Sequence, residues 1–227
     1  KSLNIKVVST VHGFNSVGFY SSIMQQADAV ICVSNSIKEY IQKHYQTSEN
    51  KITVIPRGID LELFNPKNID ETFIENFKKE FDLRDKFIVS SVGRVTQLKD
   101  YETFIKAILL AKKEIPNIVG LIIGGVRSDK ENYLNSLKSL IKELNLEENI
   151  IFTGSQSKIE QIYALSDVVI SSSKKPESFG RAVAESICMN KPVIATNHGG
   201  VKDIIIENVN GFFFEVGDEK ELANNIL

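Results

Sequence analysis

Cysteine is scarce in this sequence and tryptophan is missing. Cys32 and Cys188 are the two cysteines among 227 residues. Two are too few for a disulfide framework. Cys32 lies in the apolar run AVICV and Cys188 follows Ile187 in a helical pattern, so both read as small buried hydrophobes and a reducing compartment is the simpler assumption. Long apolar runs are also missing: none approaches the ~20 residues that span a bilayer, and no signal peptide is visible. Residue 1 is Lys rather than Met, and the closing ELANNIL reads as an opening helix, so both ends read as cut. There is no excess charge: 29 acidic and 27 basic side chains leave a formal net charge of −2. That argues against a generic nucleic-acid binder, which carries a basic excess. Two motifs are absent as well. Without GxGxxG, an NAD-dependent enzyme is disfavoured. Without Asp-x-Asp, a metal-bridged diphosphate site of that type has no support, so no metal and no cofactor is expected.

What is present is ordinary globular material, 42% hydrophobic and 25% charged. That excludes a disordered, collagen-like or low-complexity chain. The length amounts to about one and a half common domains. Short apolar runs alternate with amphipathic helices. The first strands are IKVVSTV from Ile5, ADAVICVS from Ala27 and KITVIP from Lys51, with helices at about 19–27 and 36–45, the latter capped by Ser34 or Ser36. RGIDLELFNPKNID then carries turn residues, and a boundary is expected near residue 65. After a helix at 71–81, further strands read at 87–92, 118–123, 149–153, 167–171, 192–195 and 212–214. Helices at about 100–114, 130–144, 158–165 and 179–189 separate them. This alternation implies a doubly wound parallel α/β sheet. Its near-continuous apolar strands suit a sheet covered on both faces. Residues 66–227 form a whole Rossmann-like domain, and residues 1–65 supply three strands of a similar one.

In such a sheet ligands bind at the carboxyl ends of the strands. The loop after the first strand of the second domain, GRVTQLKDYETF, offers Arg94 and Lys99 beside Gly93, cations suited to a diphosphate. The alternative is two solvated charges. The next loop offers Gly124 and Gly125, which permit close approach of a ligand. The richest loop runs SSSKKPESFGRAVAE. Its helix is expected to begin near Ser178, with free N–H groups able to take a phosphate. Glu177 could grip sugar hydroxyls, or merely complement the helix dipole. Glu185, two turns into an otherwise apolar helix, could reach a ribose diol or simply face solvent. Lys174 and Lys175 read as a solvated pair. Gly199 and Gly200 open the last loop beside His198, and His44 reads as a surface residue. His12 ends the first strand and could face a substrate or be satisfied by a local carbonyl.

Together these segments resemble the retaining glycosyltransferases of family 4, with the two-domain GT-B fold. ESFGRAVAE resembles that family's E-x7-E motif, VIPRGIDLELF its "VIPNGVD…F" segment, and VGRVTQLKDYETFIKA its phosphate loop. FTGSQSKIEQIYALSDVVISSS and PVIATNHGGVKDII resemble the segments on either side of E-x7-E. The departures are Asp100 where Gly is frequent, Arg57 where Asn is frequent, and Asp203 in place of Glu.

The resemblance implies transfer of a sugar from a nucleotide-diphosphate sugar, UDP by default and GDP second, to a hydroxyl acceptor with retention. Two Rossmann-like domains would face a cleft, with 1–65 the end of the acceptor-side domain and 66–227 the donor-binding domain. Arg94 and Lys99 would neutralise the diphosphate without a metal. Glu185 would hold the ribose and Glu177 the sugar, with Ser178, Phe179, Gly180 and Arg181 near sugar and phosphate. Gly199 and Gly200 would line the site, and His12 would approach the transferred sugar. The nucleobase would lie near Ile151, Phe152, Thr153 and Gly154. A glycan or lipid-linked acceptor is expected, with a role in surface polysaccharide, lipopolysaccharide or glycolipid synthesis. The implied location is the cytoplasm, with peripheral contact at the inner membrane face. The rival readings are a nucleotide-sugar epimerase or phosphorylase of the same shape, and a non-catalytic nucleotide-sugar-binding module.

Overall fold

A computed structural model describes residues 5–227 of the chain. They form two compact units. One takes in residues 5–58, Pro176–Gly180 and His198–Ile204; the other holds Ile59–Lys175, Arg181–Asn197 and Ile205–Leu227. This partition departs from the boundary expected near residue 65. Residues 59–65 pack with the second unit because Phe64 is buried there against Tyr163, ring centroids 6.1 Å apart.

The first unit carries a parallel sheet of β1 (Val8–Val11), β2 (Ala29–Cys32) and β3 (Ile52–Val54), in that order. The expected strand from Ile5 is shorter than its apolar run. The ladder with β2 begins at Val8; Ile5, Val7 and Val8 are exposed, and Val11 enters the core. The segment expected as a helix at 19–27 is a short α1 (Phe19–Ser22) and a 3-10 turn, Ile23–Gln26, neither with a buried residue. By contrast α2 (Asn35–Tyr45) buries Ile37, Ile41 and Tyr45, spaced i, i+4, i+8 on one face. Its start is doubly held. Ser34 Oγ accepts from Ile37 N at 3.2 Å, and Asp203 Oδ2 accepts from Asn35 N at 2.6 Å. A carboxylate on free N–H groups at the positive end of a helix is stabilising. Asp203→Ala is therefore expected to weaken the first turn of α2 by about 1 kcal/mol. Faster amide exchange there, with unchanged exchange in the second unit, is the check.

The second unit begins with α3 (Glu71–Glu80), whose first turn is capped by Asp70 Oδ1 accepting from Phe73 N at 2.9 Å. Its sheet has six parallel strands: β4 (Phe87–Val92), β5 (Ile118–Ile123), β6 (Ile150–Gly154), β7 (Val168–Ser171), β8 (Val193–Thr196) and β9 (Gly211–Phe214). The connecting helices are α4 (Tyr101–Ala111), α5 (Glu131–Glu143), α6 (Ile159–Leu165) and α7 (Arg181–Cys188), and α8 (Glu219–Ile226) follows β9. Every residue of β5 is buried. Ile118 and Ile122 join a core with Phe104 and Ile108 of α4, while Val119, Leu121 and Ile123 join a separate core with Phe77 of α3 and Ile162 of α6. Alternate side chains thus serve opposite faces, as the unbroken apolar run anticipates. The strand order is β6-β5-β4-β7-β8-β9. The chain winds outward from β4 in one direction, then returns to β7 and winds in the other. The carboxyl ends of β4 and β7 therefore flank the point where the order reverses, the usual ligand position in such sheets.

Candidate functional site

Two loops leave that reversal point. After β4 the chain passes Gly93 and an exposed Arg94 to a 3-10 turn, Gln97–Lys99. Lys99 lies across Gly93: a Cβ built on Gly93 would fall 2.6 Å from Lys99 Cε and 3.3 Å from its Nζ. The turn is anchored by the loop after β7, where Ser172 Oγ donates to Lys99 O at 2.8 Å and Lys174 N donates to Leu98 O at 2.8 Å. Both loops are thus joined through backbone groups around one cation-bearing segment.

Asp100 explains its own departure from glycine. It sits at φ 50°, the left-handed region where Gly is usual and Asp is tolerated. It is also 1% exposed, so its carboxylate needs partners. Thr103 Oγ1 donates to Oδ2 at 2.8 Å, and Lys174 Nζ lies 3.0 Å from Oδ1 and 3.7 Å from Glu102 Oε2. Lys174 is exposed, as Lys175 is, but it pairs with acids that its local sequence does not suggest.

Glu185 does not face solvent either. It is 8% exposed on α7 and accepts from Tyr163 Oη of α6 at 3.0 Å, with Arg181 Nη1 at 4.0 Å. Burial pushes its carboxyl above the usual range, while Tyr163 and Arg181 pull it back down. Sequence reading missed Tyr163. An aromatic residue on a helix before a strand reads as core, and nothing local marks its hydroxyl for a carboxylate 22 residues on.

The helix expected from about Phe179 begins instead at Arg181. Gly180, at φ 95°, breaks any earlier turn, and a Cβ there would meet Val201 Cγ1 at 2.5 Å. That late start removes the sequence reason for treating Glu177 as a dipole partner. Within the first unit, Glu177 forms an isolated parallel bridge with Gly199, and Gly200 N donates to Glu177 O at 2.7 Å. Cβ atoms on Gly199 and Gly200 would come within 2.5 Å of Glu177 O and Ser178 O. These glycines admit close passage of two backbones, bringing segments 176–180 and 198–204 together. Phe179 is buried, and Ser178 half-buried.

His12, also in the first unit, is exposed just past β1. Its Nδ1 lies 3.2 Å from Arg57 Nη2, in place of the local carbonyl considered from sequence. A guanidinium only donates, so Nδ1 is the accepting nitrogen of this contact and the ring N–H lies on Nε2. His44 is exposed, as expected, and its ring lies against Tyr40.

Ile151 to Gly154 fall on β6 at the sheet edge. The pairing with β5 slips between Ile122 and Ile123, so Thr153 is the additional residue. Gly124 N donates to Gly154 O at 2.9 Å and Gln156 Nε2 to Thr153 O at 2.9 Å. Ile151, Phe152 and Thr153 are half-buried, and Gly154 is exposed.

A cavity of about 400 Å³ lies elsewhere, lined by Ile187, Lys191, Pro192, Val209 and Phe212. Those residues precede or open β8 and β9, at the amino end of the sheet, away from the carboxyl-end loops. Among the described residues no group of three His, Cys, Asp or Glu is arranged to hold a metal ion. Burial pushes the Cys32 thiol up to about 11, against nearby Lys38, so it stays protonated at neutral pH. Cys188 is half-exposed rather than buried.

Comparisons with known proteins identify the family and the fold. A family model for glycosyl transferases group 1 matches residues 73–227, and one for glycosyltransferase family 4 matches residues 1–63. The capsular polysaccharide biosynthesis glycosyltransferase CapM of Staphylococcus aureus is 28% identical over 226 residues, 96% of this chain and 57% of that protein. The structure of Anabaena HepE in complex with UDP superposes with a TM-score of 0.87 at 25% identity, covering 97% of this chain and 61% of the other. A Rickettsia africae glycosyltransferase superposes with a TM-score of 0.87 at 32% identity, covering 96% and 59%. The chain spans about half the length of the first curated relatives it matches. The α/β fold is that of the GT-B glycosyltransferases, and the chain belongs to the family of glycosyl transferases group 1.

Proposed function

We propose that this chain is the donor-handling part of a glycosyltransferase that moves a sugar from a UDP-sugar, with a GDP-sugar second, to a hydroxyl acceptor with retention. The observation carrying this reading is the cationic segment Arg94 to Lys99 at the strand-order reversal, held by both loops that leave it. UDP is preferred because HepE, a relative at 25% identity, is seen with UDP. Lys99 and Arg94 neutralise the diphosphate as it departs, supplying without a metal the charge stabilisation that leaving-group departure requires. Glu185 accepts the ribose hydroxyls. Glu177 accepts hydroxyls of the transferred sugar, with Ser178, Phe179, Gly180 and Arg181 close to sugar and phosphate. Gly199 and Gly200 line that region, and the backbone of Ile151 to Gly154 lies near the base. His12, its Nδ1 against Arg57, approaches the transferred sugar through Nε2. The departing phosphate takes the acceptor proton on the same face.

The acceptor is a glycan or lipid-linked hydroxyl in surface polysaccharide, lipopolysaccharide or glycolipid assembly, in line with relatives such as CapM. The proposed setting is the cytoplasm, with peripheral membrane contact; among the described residues no helix is long and apolar enough to cross a membrane. Glu177→Ala in the full-length protein is expected to lower transfer by roughly 100-fold while UDP affinity stays near wild type. Product analysis with UDP-sugars and mixed acceptors checks this. Epimerised sugar without transfer would contradict the reading.

A further inference from the structure

We propose that Tyr163 is a positioning residue for Glu185, and that the Phe64–Tyr163 pair sets the preference of this site for a ribose over a deoxyribose nucleotide. This rests on the proposed role of Glu185 toward the ribose. Glu185 sits on a helix whose neighbouring residues, Val183 and Ala184, are buried and apolar. At that depth its ionised form needs a donor. Tyr163 Oη supplies one at 3.0 Å. Arg181, at 4.0 Å and with its side chain 63% exposed, is the other group facing the carboxylate, and contributes little in solvent.

Tyr163 is itself fixed. It is fully buried, and its ring meets Phe64 at 6.1 Å with a 48° tilt. Phe64 is delivered by a locked turn. Asp60 Oδ1 accepts from Glu62 N at 3.0 Å and Leu63 N at 3.1 Å, and Phe64 N donates to Asp60 O at 2.9 Å. The segment GIDLELF, conspicuous in the sequence and otherwise without a role, thus ends in a ring that braces Tyr163.

The consequence is geometric. The terminal torsion of a glutamate is broad and weakly held, and a free carboxylate presents its two oxygens in many orientations. A cis diol needs both oxygens in one plane at once. With one lone pair of Oε2 committed to Tyr163, the carboxylate plane is set and its remaining acceptor sites are presented to the 2′- and 3′-hydroxyls together.

The test is calorimetric titration of UDP and of 2′-deoxy-UDP into wild type, Tyr163→Phe, Glu185→Gln and the double variant. Phenylalanine keeps the ring against Phe64, so the fold is retained. Tyr163→Phe is expected to weaken UDP binding about tenfold, the scale of one hydrogen bond to a charged group, and to leave 2′-deoxy-UDP unchanged. It should add nothing in the Glu185→Gln background. Phe64→Leu should shift the ribose preference the same way by less. Unchanged UDP affinity in Tyr163→Phe, or an equal loss for both ligands, would overturn the positioning role. Wild type indifferent to the 2′-hydroxyl, or Glu185→Gln retaining full ribose preference, would instead defeat the role of Glu185 on which it rests.

Discussion

Gly124→Ala is expected to destabilise the second unit by roughly 2–5 kcal/mol. Gly124 follows β5 at φ +153°, a region that L side chains rarely adopt, and an added Cβ would fall 2.1 Å from Gly93 O and 2.6 Å from Gly93 C. Those atoms are backbone and cannot rotate away. They belong to a junction where three strands are tied at their carboxyl ends: Gly93 N donates to Ile123 O at 2.9 Å and Gly124 N to Gly154 O at 2.9 Å. Relieving the overlap moves Gly93 and strains both bonds. A loss at the upper end approaches the whole stability of many domains. Gly125→Ala is the control, because its Cβ would meet only Ser155 Oγ, at 2.6 Å, the end of a side chain that can turn. Urea unfolding followed by a probe in the second unit should show a much lower midpoint for Gly124→Ala than for Gly125→Ala. Equal midpoints would refute the steric account of this junction.

Lys99→Ala is expected to weaken UDP binding by roughly 10- to 150-fold, the worth of a hydrogen bond between charged groups, about 1.5–3 kcal/mol. The backbone of Lys99 is held by its own N–H to Thr96 O at 2.9 Å and by Ser172 Oγ, so the substitution removes the ammonium without freeing the loop. Uridine, lacking the diphosphate, should bind both proteins alike. The difference between wild type and variant should also shrink at high salt, because the lost interaction is between charges that salt screens. Lys175→Ala, on the exposed part of the next loop, should bind UDP as wild type does. A Lys99→Ala protein with wild-type UDP affinity would remove the diphosphate assignment.

Much of this arrangement is legible in the sequence, for identifiable reasons. The inner strands of the second unit announce themselves because β5, β7 and β8 are buried throughout and so read as short apolar runs. The loops bearing Lys99 and Glu177 stand out because a parallel sheet places its ligands at carboxyl ends. Strand ends are harder to read. Ile5 and Val7 have strand composition, yet the ladder with β2 begins at Val8, and pairing, not propensity, decides where β1 starts. Contacts between distant residues are not legible at all. Lys174 reads as one of a solvated pair in its loop, yet it reaches Asp100 and Glu102, far earlier in the chain. Glu185 could face in or out until Tyr163 is placed beside it. Gly199 and Gly200 read as lining residues, and nothing local marks the second backbone that they let pass. In each case the sequence supplies the residue type, and the packing of separate elements supplies its partner.

We propose that a nucleoside diphosphate is received at the carboxyl ends of β4 and β7. Amide chemical-shift mapping of the labelled chain during titration with UDP tests it most directly. Perturbations are expected to concentrate at residues 93–99, 124–125 and 181–185, with much smaller ones in the diphosphate segment when uridine replaces UDP. Perturbations centred on Ile187, Lys191 and residues 208–212, around the cavity at the opposite end of the sheet, or none with UDP at all, would contradict it.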